Sequence, residues 1–458
     1  MCQQESGKIV NSLAIASSVR SGYDHYEKPL RRVRQRRRIN MSFKNSLYCS
    51  TATILCVVAL GCGQPVQEET APAASETIMP QYQVDPFWPK PLPDAMLIGE
   101  IAGLAVDAQD HVWVFHRPGS LSEDELGAAQ DPPVSLCCNP APWIVEFDAE
   151  GNYLRGWGGP DEAYDWPEIE HGLFVDHENN VWLAGEDTND HQVLKFTADG
   201  EFLLQIGQRG QTGGNAHTEF LGHPTDMEID PETNEVFVAD GYLNRRVIVF
   251  DATTGEYKRH WGAYGNEPQD FPAGTSYLAG RYRHAGPDGE LLDSGFFPPI
   301  APDRQDADTG EAFDPEGSPS QEFNIVHGLR LTDDGLVYVA DRTNSRVQVF
   351  QRDGTYVDEV VIEKATMGEG SAWDVDVSPD EQQTFLYVAD GTNQRVWIVQ
   401  RATLEILGSF GRRGHGAGEF HWIHRLVVDS QGNLYTGEVN RGRRLQKWVL
   451  AEDNAATE

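Results

Sequence analysis

Apolar positions recur along this chain in short alternating runs, and the runs come in sets. Six inner runs begin with IAGLAVD at Ile101, EHGLFVD at Glu170, PTDMEID at Pro224, VHGLRLT at Val326, AWDVDVS at Ala372 and IHRLVVD at Ile423. Each leads across a short turn into a second run: VWVFHR to Arg117, VWLAGE to Glu186, VFVADG to Gly241, VYVADR to Arg342, LYVADG to Gly391 and LYTGEV to Val439. A third run carries an arginine-valine pair in NRRVIVF, NSRVQVF and NQRVWIV. A fourth ends at Trp157-Gly158, Ile206-Gly207, Trp261-Gly262 or Phe410-Gly411. Period-two alternation broken by Gly, Asp and Asn turns predicts antiparallel strands, and sets of four predict blades arranged radially. The expected fold is all-β, a six-bladed β-propeller at roughly 40 residues per blade. The sixth set runs out near Leu450 after three strands, so the segment Gln81 to Trp88 is expected to supply the fourth and close the ring.

A length of 458 residues ordinarily suggests two or three domains, yet one such propeller over 81–450 absorbs most of the chain. Ahead of it, MSFKNSLYCSTATILCVVALGC from Met41 pairs one lysine with an apolar stretch from Leu47 to Leu60. That stretch is too short to span a bilayer and reads as a signal-peptide core, with residues 1–61 forming a leader whose true start is Met41. The ALGC ending resembles a bacterial lipoprotein signal, in which Cys62 is lipidated; this implies an exported protein anchored in the cell envelope, facing the periplasm or on the outer membrane. Residues 62–80 are polar and aperiodic, as a linker is, and 451–458 form a tail.

The formal charge of −35 becomes more negative without the leader. Residues 1–61 hold ten Lys or Arg and three Asp or Glu, leaving 26 basic against 68 acidic side chains, or −42. So acidic a surface repels nucleic acid and anionic headgroups, which excludes both as partners and limits membrane association to the lipid anchor. Outside the leader and Cys62, only the adjacent pair Cys137 and Cys138 remains. Adjacent cysteines seldom bridge each other without strain, so the domain is expected to rely on its core. The pair also lacks CxxC-type spacing.

Candidate chemistry comes from the repeat register. His171, His327 and His424 occupy the same position of alternate copies, where the intervening copies hold Ala102, Thr225 and Trp373. In a six-bladed ring such residues converge on the axis with threefold spacing, and three neutral imidazoles that leave a fourth position open suit zinc. The start of a blade's first strand and the end of its second share one edge. Arg117, Tyr242 and Arg342 therefore belong to the same mouth as the histidines. Two long insertions, 118–142 and 263–323, open on that mouth as well, whereas the opposite turns are short. The arginines Arg246, Arg346 and Arg395 are expected to pair with blade-edge aspartates or carbonyls. His116, His191, His223 and His421 are out of register with the three.

The blade pattern is that of NHL repeats. VFHR at Val114, HGLFVD at His171, DHQVLKF at Asp190, PTDM at Pro224, DGYLNRR at Asp240, VHGL at Val326, ADRTNSR at Ala340 and HWIH at His421 resemble the peptidyl-α-hydroxyglycine α-amidating lyases across all six blades. That resemblance implies a catalytic zinc on His171, His327 and His424, a general base at Tyr242, and arginines 117 and 342 lining the site. It implies cleavage of a peptidyl-α-hydroxyglycine into a peptide amide and glyoxylate. It also implies a structural calcium held by the carbonyls of Leu104 and Leu173 and by an aspartate, but Arg425 stands at the aspartate's position. A cation cannot ligate calcium, so calcium is not expected, and the guanidinium is expected between those carbonyls. Trp422 and Leu243 replace a methionine and a cysteine of the family, and no copper monooxygenase domain accompanies the propeller on this chain.

Two other readings stand beside a metal-dependent lyase acting on a peptide or small-molecule substrate. One is a noncatalytic NHL lipoprotein whose mouth binds a peptide, glycan or partner protein. The other is a propeller lactonase, which three histidines fit poorly because such enzymes ligate calcium through carboxylates and Asn.

Overall fold

The computed structural model describes residues 78–270 and 314–451. The leader with Cys62, most of the linker, the central part of the second insertion and the tail beyond 451 lie outside the described residues. Among the described residues no helix is long and apolar enough to cross a membrane.

Six four-stranded antiparallel sheets form, and the first strand of each packs against the first strand of the next, with blade six returning to blade one. Blade one runs Glu100–Val106, Val112–Arg117, Ile144–Phe147 and Tyr153–Trp157. Blades two to five begin at Glu170–Val175, Pro224–Asp230, Val326–Leu331 and Asp374–Val377 and follow the same meander. Blade six combines Ile423–Val428, Leu434–Glu438 and Leu445–Leu450 with Tyr82–Asp85, which pairs antiparallel with Leu445–Leu450. The ring thus closes by joining the two ends of the described chain.

The burial pattern explains the sequence pattern. Second strands such as Glu235–Asp240 are covered on both faces by neighbouring blades and read as continuous apolar runs, while outer strands such as Tyr356–Val361 keep one face in water. Each of six apolar clusters fills one gap between adjacent blades; Trp182, Met227, Val238 and Phe250 share one such gap. Burying each large apolar side chain contributes about 1.5–3 kcal/mol.

Turns carry the local signals. Asp107 accepts hydrogen bonds from the backbone of Gln109 and His111, and Asp176 accepts them from Glu178 and Asn180, fixing the inner hairpins of blades one and two. At the mouth, Arg246 pairs with Asp240 at 2.8 Å and Arg346 with Asp341 at 2.7 Å, as expected. Arg395 differs. Asp390 is taken by Trp397 and Asn393, and Arg395 donates to Ser409 Oγ at 3.4 Å.

Cys137 and Cys138 do join in a disulfide, within the first insertion. It encloses no intervening residue, so it removes little entropy from the unfolded chain, and the weight of stability remains on the inter-blade core.

Candidate metal centre and active site

The three histidines meet on the axis because the first strands are bulged where they enter the mouth. The ladder slips between Glu170 and Leu173, between Val326 and Gly328, and between Ile423 and Arg425, which leaves the histidine as the extra residue. The same slip occurs at Ala102 and Thr225. A bulge re-aims a side chain that regular pairing would send into a blade gap. The residue after it is glycine in two of the histidine blades, since a Cβ at Gly172 would lie 2.5 Å from the Thr225 carbonyl oxygen and one at Gly328 2.4 Å from Asp374 Oδ1.

The imidazoles form a nearly equilateral triangle. Ring centroids are 4.8 Å apart for His171 and His327, 4.7 Å for His171 and His424, and 4.9 Å for His327 and His424, with planes crossed at 77°, 78° and 89°. One nitrogen from each lies within 4.8 Å of the others, and all three residues are buried. Burial, helped by neighbouring imidazole and guanidinium groups, holds His327 and His424 well below their ordinary pKa, so both carry lone pairs at neutral pH.

The alternate blades orient this triangle. His327 Nδ1 lies 2.6 Å from the Trp373 carbonyl and His171 Nδ1 lies 2.7 Å from the Thr225 carbonyl. A carbonyl only accepts, so His327 Nδ1 carries the proton and its Nε2 is left to face the axis, whereas His171 Nδ1 lies between the Thr225 carbonyl and Arg425 Nη2, a donor 2.9 Å away. The His327 tautomer is the one a metal-ligating histidine takes when its other nitrogen is anchored. His327 Nε2 and His424 Nδ1 are buried without a hydrogen-bond partner. Orphaned, neutral and convergent nitrogens fit a zinc ion.

Tyr242 reaches the same point from the end of blade three's second strand. Its hydroxyl is buried, 3.1 Å from His171 Nε2, and receives a hydrogen bond from Arg342 Nη1 at 3.1 Å. Arg342 lies 4.4 Å over the Trp373 ring, ion-pairs with Glu369 through Nη2, and keeps a buried Nε without a partner. Arg117 is near the histidines but engaged: it donates to the Glu170 carbonyl at 2.9 and 2.8 Å, to Glu100 at 3.1 Å and to Glu186 at 2.8 Å.

Arg425 lies on the axis as anticipated, with different partners. The carbonyls it meets belong to Ala102 (3.2 Å), His327 (3.2 Å) and Thr225 (2.6 Å), and Leu104 and Leu173 are core residues. All three carbonyls occupy the repeat position of the histidines, because the bulge at His424 and the length of the side chain aim the guanidinium toward that layer. Arg425 also pairs with Asp374 at 3.3 Å and Asp226 at 3.5 Å. Two residues further along, Arg330 bridges Glu228 at 3.0 Å and Asp376 at 2.9 Å. The acids Asp226 and Asp374 escaped the reading of the sequence, although both stand one place after the repeat position, in register with Arg425.

The other histidines remain apart. His116 accepts from Gly99 N at 3.1 Å and donates to the Pro142 carbonyl at 2.8 Å, and burial pushes its pKa down to about 4. His191 stacks on His223 at 4.8 Å, and His421 on His415 at 4.7 Å.

Fold and site together define a six-bladed β-propeller with three histidines converging on its axis. Residues 323–350 match the model of the NHL repeat. The chain is similar to peptidyl-alpha-hydroxyglycine alpha-amidating lyase 1 of Drosophila melanogaster, 26% identical over 393 residues, covering 80% of this chain and 60% of that protein. It is 24% identical over 318 residues to peptidyl-glycine alpha-amidating monooxygenase A of Xenopus laevis, covering 66% of this chain and 26% of that protein. NHL repeat-containing protein 3 of Homo sapiens is 24% identical over 303 residues, with 64% and 63% covered. The matched region thus spans between about a quarter and just under two thirds of these relatives' lengths.

Proposed function

We propose that this protein is a metal-dependent carbon–nitrogen lyase of the peptidyl-α-hydroxyglycine type, with zinc held by His171, His327 and His424. The observation that carries the reading is the Tyr242 hydroxyl, 3.1 Å from both His171 Nε2 and Arg342 Nη1. Zinc bound there would act as a Lewis acid toward the substrate hydroxyl. Tyr242, as the phenolate, accepts the proton of that hydroxyl; the O–H electron pair becomes the new C=O bond, the C–N bond breaks with its pair leaving on the amide nitrogen, and that nitrogen takes the proton from Tyr242, which restores the phenolate. Arg342 Nη1 stabilises charge on the phenolic oxygen meanwhile. The unpartnered Arg342 Nε is the donor suited to the carboxylate that leaves as glyoxylate. Arg117 positions instead of binding, because its donors hold Glu170, Glu186 and Glu100.

The test is glyoxylate release from a peptidyl-α-hydroxyglycine by the zinc-loaded protein, measured against the spontaneous rate and against chelated protein. Release above both supports the lyase. A second reading, a noncatalytic propeller binding a peptide, glycan or protein at its mouth, is favoured by the neutralisation of Arg117 and Arg342 by carboxylates. Release no faster than the spontaneous rate would select it. Export and a lipid anchor on Cys62 are part of the same proposal and rest on the leader sequence alone.

A further inference from the structure

Two loops of blade six stand side by side at the mouth. Residues 411–422 join Glu405–Phe410 of blade five to Ile423–Val428, and residues 439–444 join Leu434–Glu438 to Leu445–Leu450. A first strand's start and a second strand's end share one edge of the blade, so both loops flank the strand that carries His424. Arg444 clamps them together, donating to the Gly416 carbonyl at 2.8 Å and to the Glu419 carbonyl at 2.7 Å. Gly442 packs so closely that a Cβ there would lie 2.2 Å from the His421 carbonyl oxygen. Within the first loop, Phe420 N donates to the Arg412 carbonyl at 2.7 Å and Gly414 N to the Phe420 carbonyl at 2.9 Å, which fixes the backbone on both sides of Arg413.

These loops carry five arginines, and three of them meet a carboxylate. Arg412 pairs with Glu419 at 3.0 Å, Arg443 with Glu125 at 2.8 Å and Arg444 with Glu438 at 2.7 Å. Arg413 and Arg441 do not. Among the described residues they are the only exposed basic side chains that form no hydrogen bond and no ion pair. Both lie near His421, which stacks on His415 at 4.7 Å and whose pKa is lowered by burial and then by His415, Arg413 and Arg441. Acidic side chains outnumber basic ones 71 to 36 in this chain, so a basic side chain elsewhere on the surface readily finds a carboxylate. Two that are left without one concentrate positive potential at one point of the rim.

Screening narrows the choice of ligand. At physiological salt the screening length is about 8 Å, so a small ligand at the rim responds to Arg413, Arg441 and their neighbours rather than to the net charge of the whole molecule. An anionic bilayer, by contrast, presents a plane that meets many acidic side chains at once and is repelled. A guanidinium matches a carboxylate with two parallel hydrogen bonds. The ligand that fits is a short peptide carrying carboxylate side chains.

We propose that Arg413 and Arg441 form a rim subsite for the acidic side chains of a peptide whose end enters the mouth, so that this protein selects acidic peptides. The proposal rests on the lyase reading only for what stands at the reacting end.

The probes are an acetylated tripeptide amide with two glutamates ahead of phenylalaninamide and the same peptide with two glutamines. Each is titrated calorimetrically into the full zinc-loaded protein, with glyoxylate release from the matching hydroxyglycines measured in parallel. The glutamate peptide is expected to bind about tenfold more tightly. Arg413→Gln and Arg441→Gln should each remove about threefold of that preference, the scale of an exposed ion pair, and leave the glutamine peptide's affinity unchanged. Both side chains are exposed, so neither replacement should alter the melting temperature. In about 1 M salt, where the screening length falls to roughly 3 Å, the preference should vanish. A glutamate peptide that does not bind, equal affinity for the two peptides, or a preference that survives the double replacement would overturn the proposal. So would phosphatidylglycerol vesicles that bind wild type but not the double variant when no peptide preference exists, since the arginines would then serve a lipid surface. A preference lost in the variants without glyoxylate release by wild type leaves the rim subsite standing and sinks the lyase. Release without any preference does the reverse.

Discussion

The Tyr242 hydroxyl lies 3.1 Å from His171 Nε2, the nitrogen that its own Nδ1 contact with Thr225 turns toward the axis. A phenol from blade three and an imidazole from blade two therefore converge where nitrogens of three imidazoles meet. If Tyr242 is the base, Tyr242→Phe should keep zinc and the fold yet lower glyoxylate release by at least ~10²-fold, the usual scale for a lost general base. Equal rates in mutant and wild type would remove it from the mechanism, leaving it as packing against His171.

Metal content gives the most direct check on the triangle. The purified protein should hold about one equivalent of zinc, and His327→Ala should lose most of it, since three ligands are the least an open zinc site uses. Elemental analysis after zinc reconstitution reads this out. A wild type that takes up no transition metal would leave the three histidines as buried packing.

Arg425 makes a separate, metal-independent prediction. Its guanidinium sits among three carbonyls and two carboxylates on the axis, so calcium should add nothing. Chelation that spares zinc should leave the melting temperature unchanged, whereas Arg425→Ala should cost about 3–5 kcal/mol, because Asp226 and Asp374 remain buried without a counter-charge. A calcium-specific rise in melting temperature of the wild type would contradict this arrangement.

Ring closure depends on Tyr82–Asp85. Deleting the chain up to Trp88 strips blade six of its outer strand and exposes the Leu445–Leu450 edge. The truncated protein should melt at lower temperature and associate through that edge, as size-exclusion chromatography would reveal. A monomer of unchanged stability would mean that closure contributes little.

The six blades, the closing segment and the alignment of His171, His327 and His424 were all legible in the chain, because strand alternation and repeat register are periodic and need no knowledge of distance. That Arg246 and Arg346 pair with blade-edge aspartates was legible from the recurring arginine-valine step, although Arg395 at the same step turns to Ser409 instead. Contacts across the ring were not. Linear order does not reveal that the bulges at the mouth swing the three histidines onto one axis, or that the Trp373 carbonyl sets the His327 tautomer. Nor does it reveal that Arg425 reaches the histidine layer rather than Leu104 and Leu173, or that Arg117 is already held by two carboxylates while Arg342 keeps an N–H unused. Those outcomes depend on side-chain reach and on which neighbours share a low-dielectric interior, and only closing the ring brings such groups within hydrogen-bond distance.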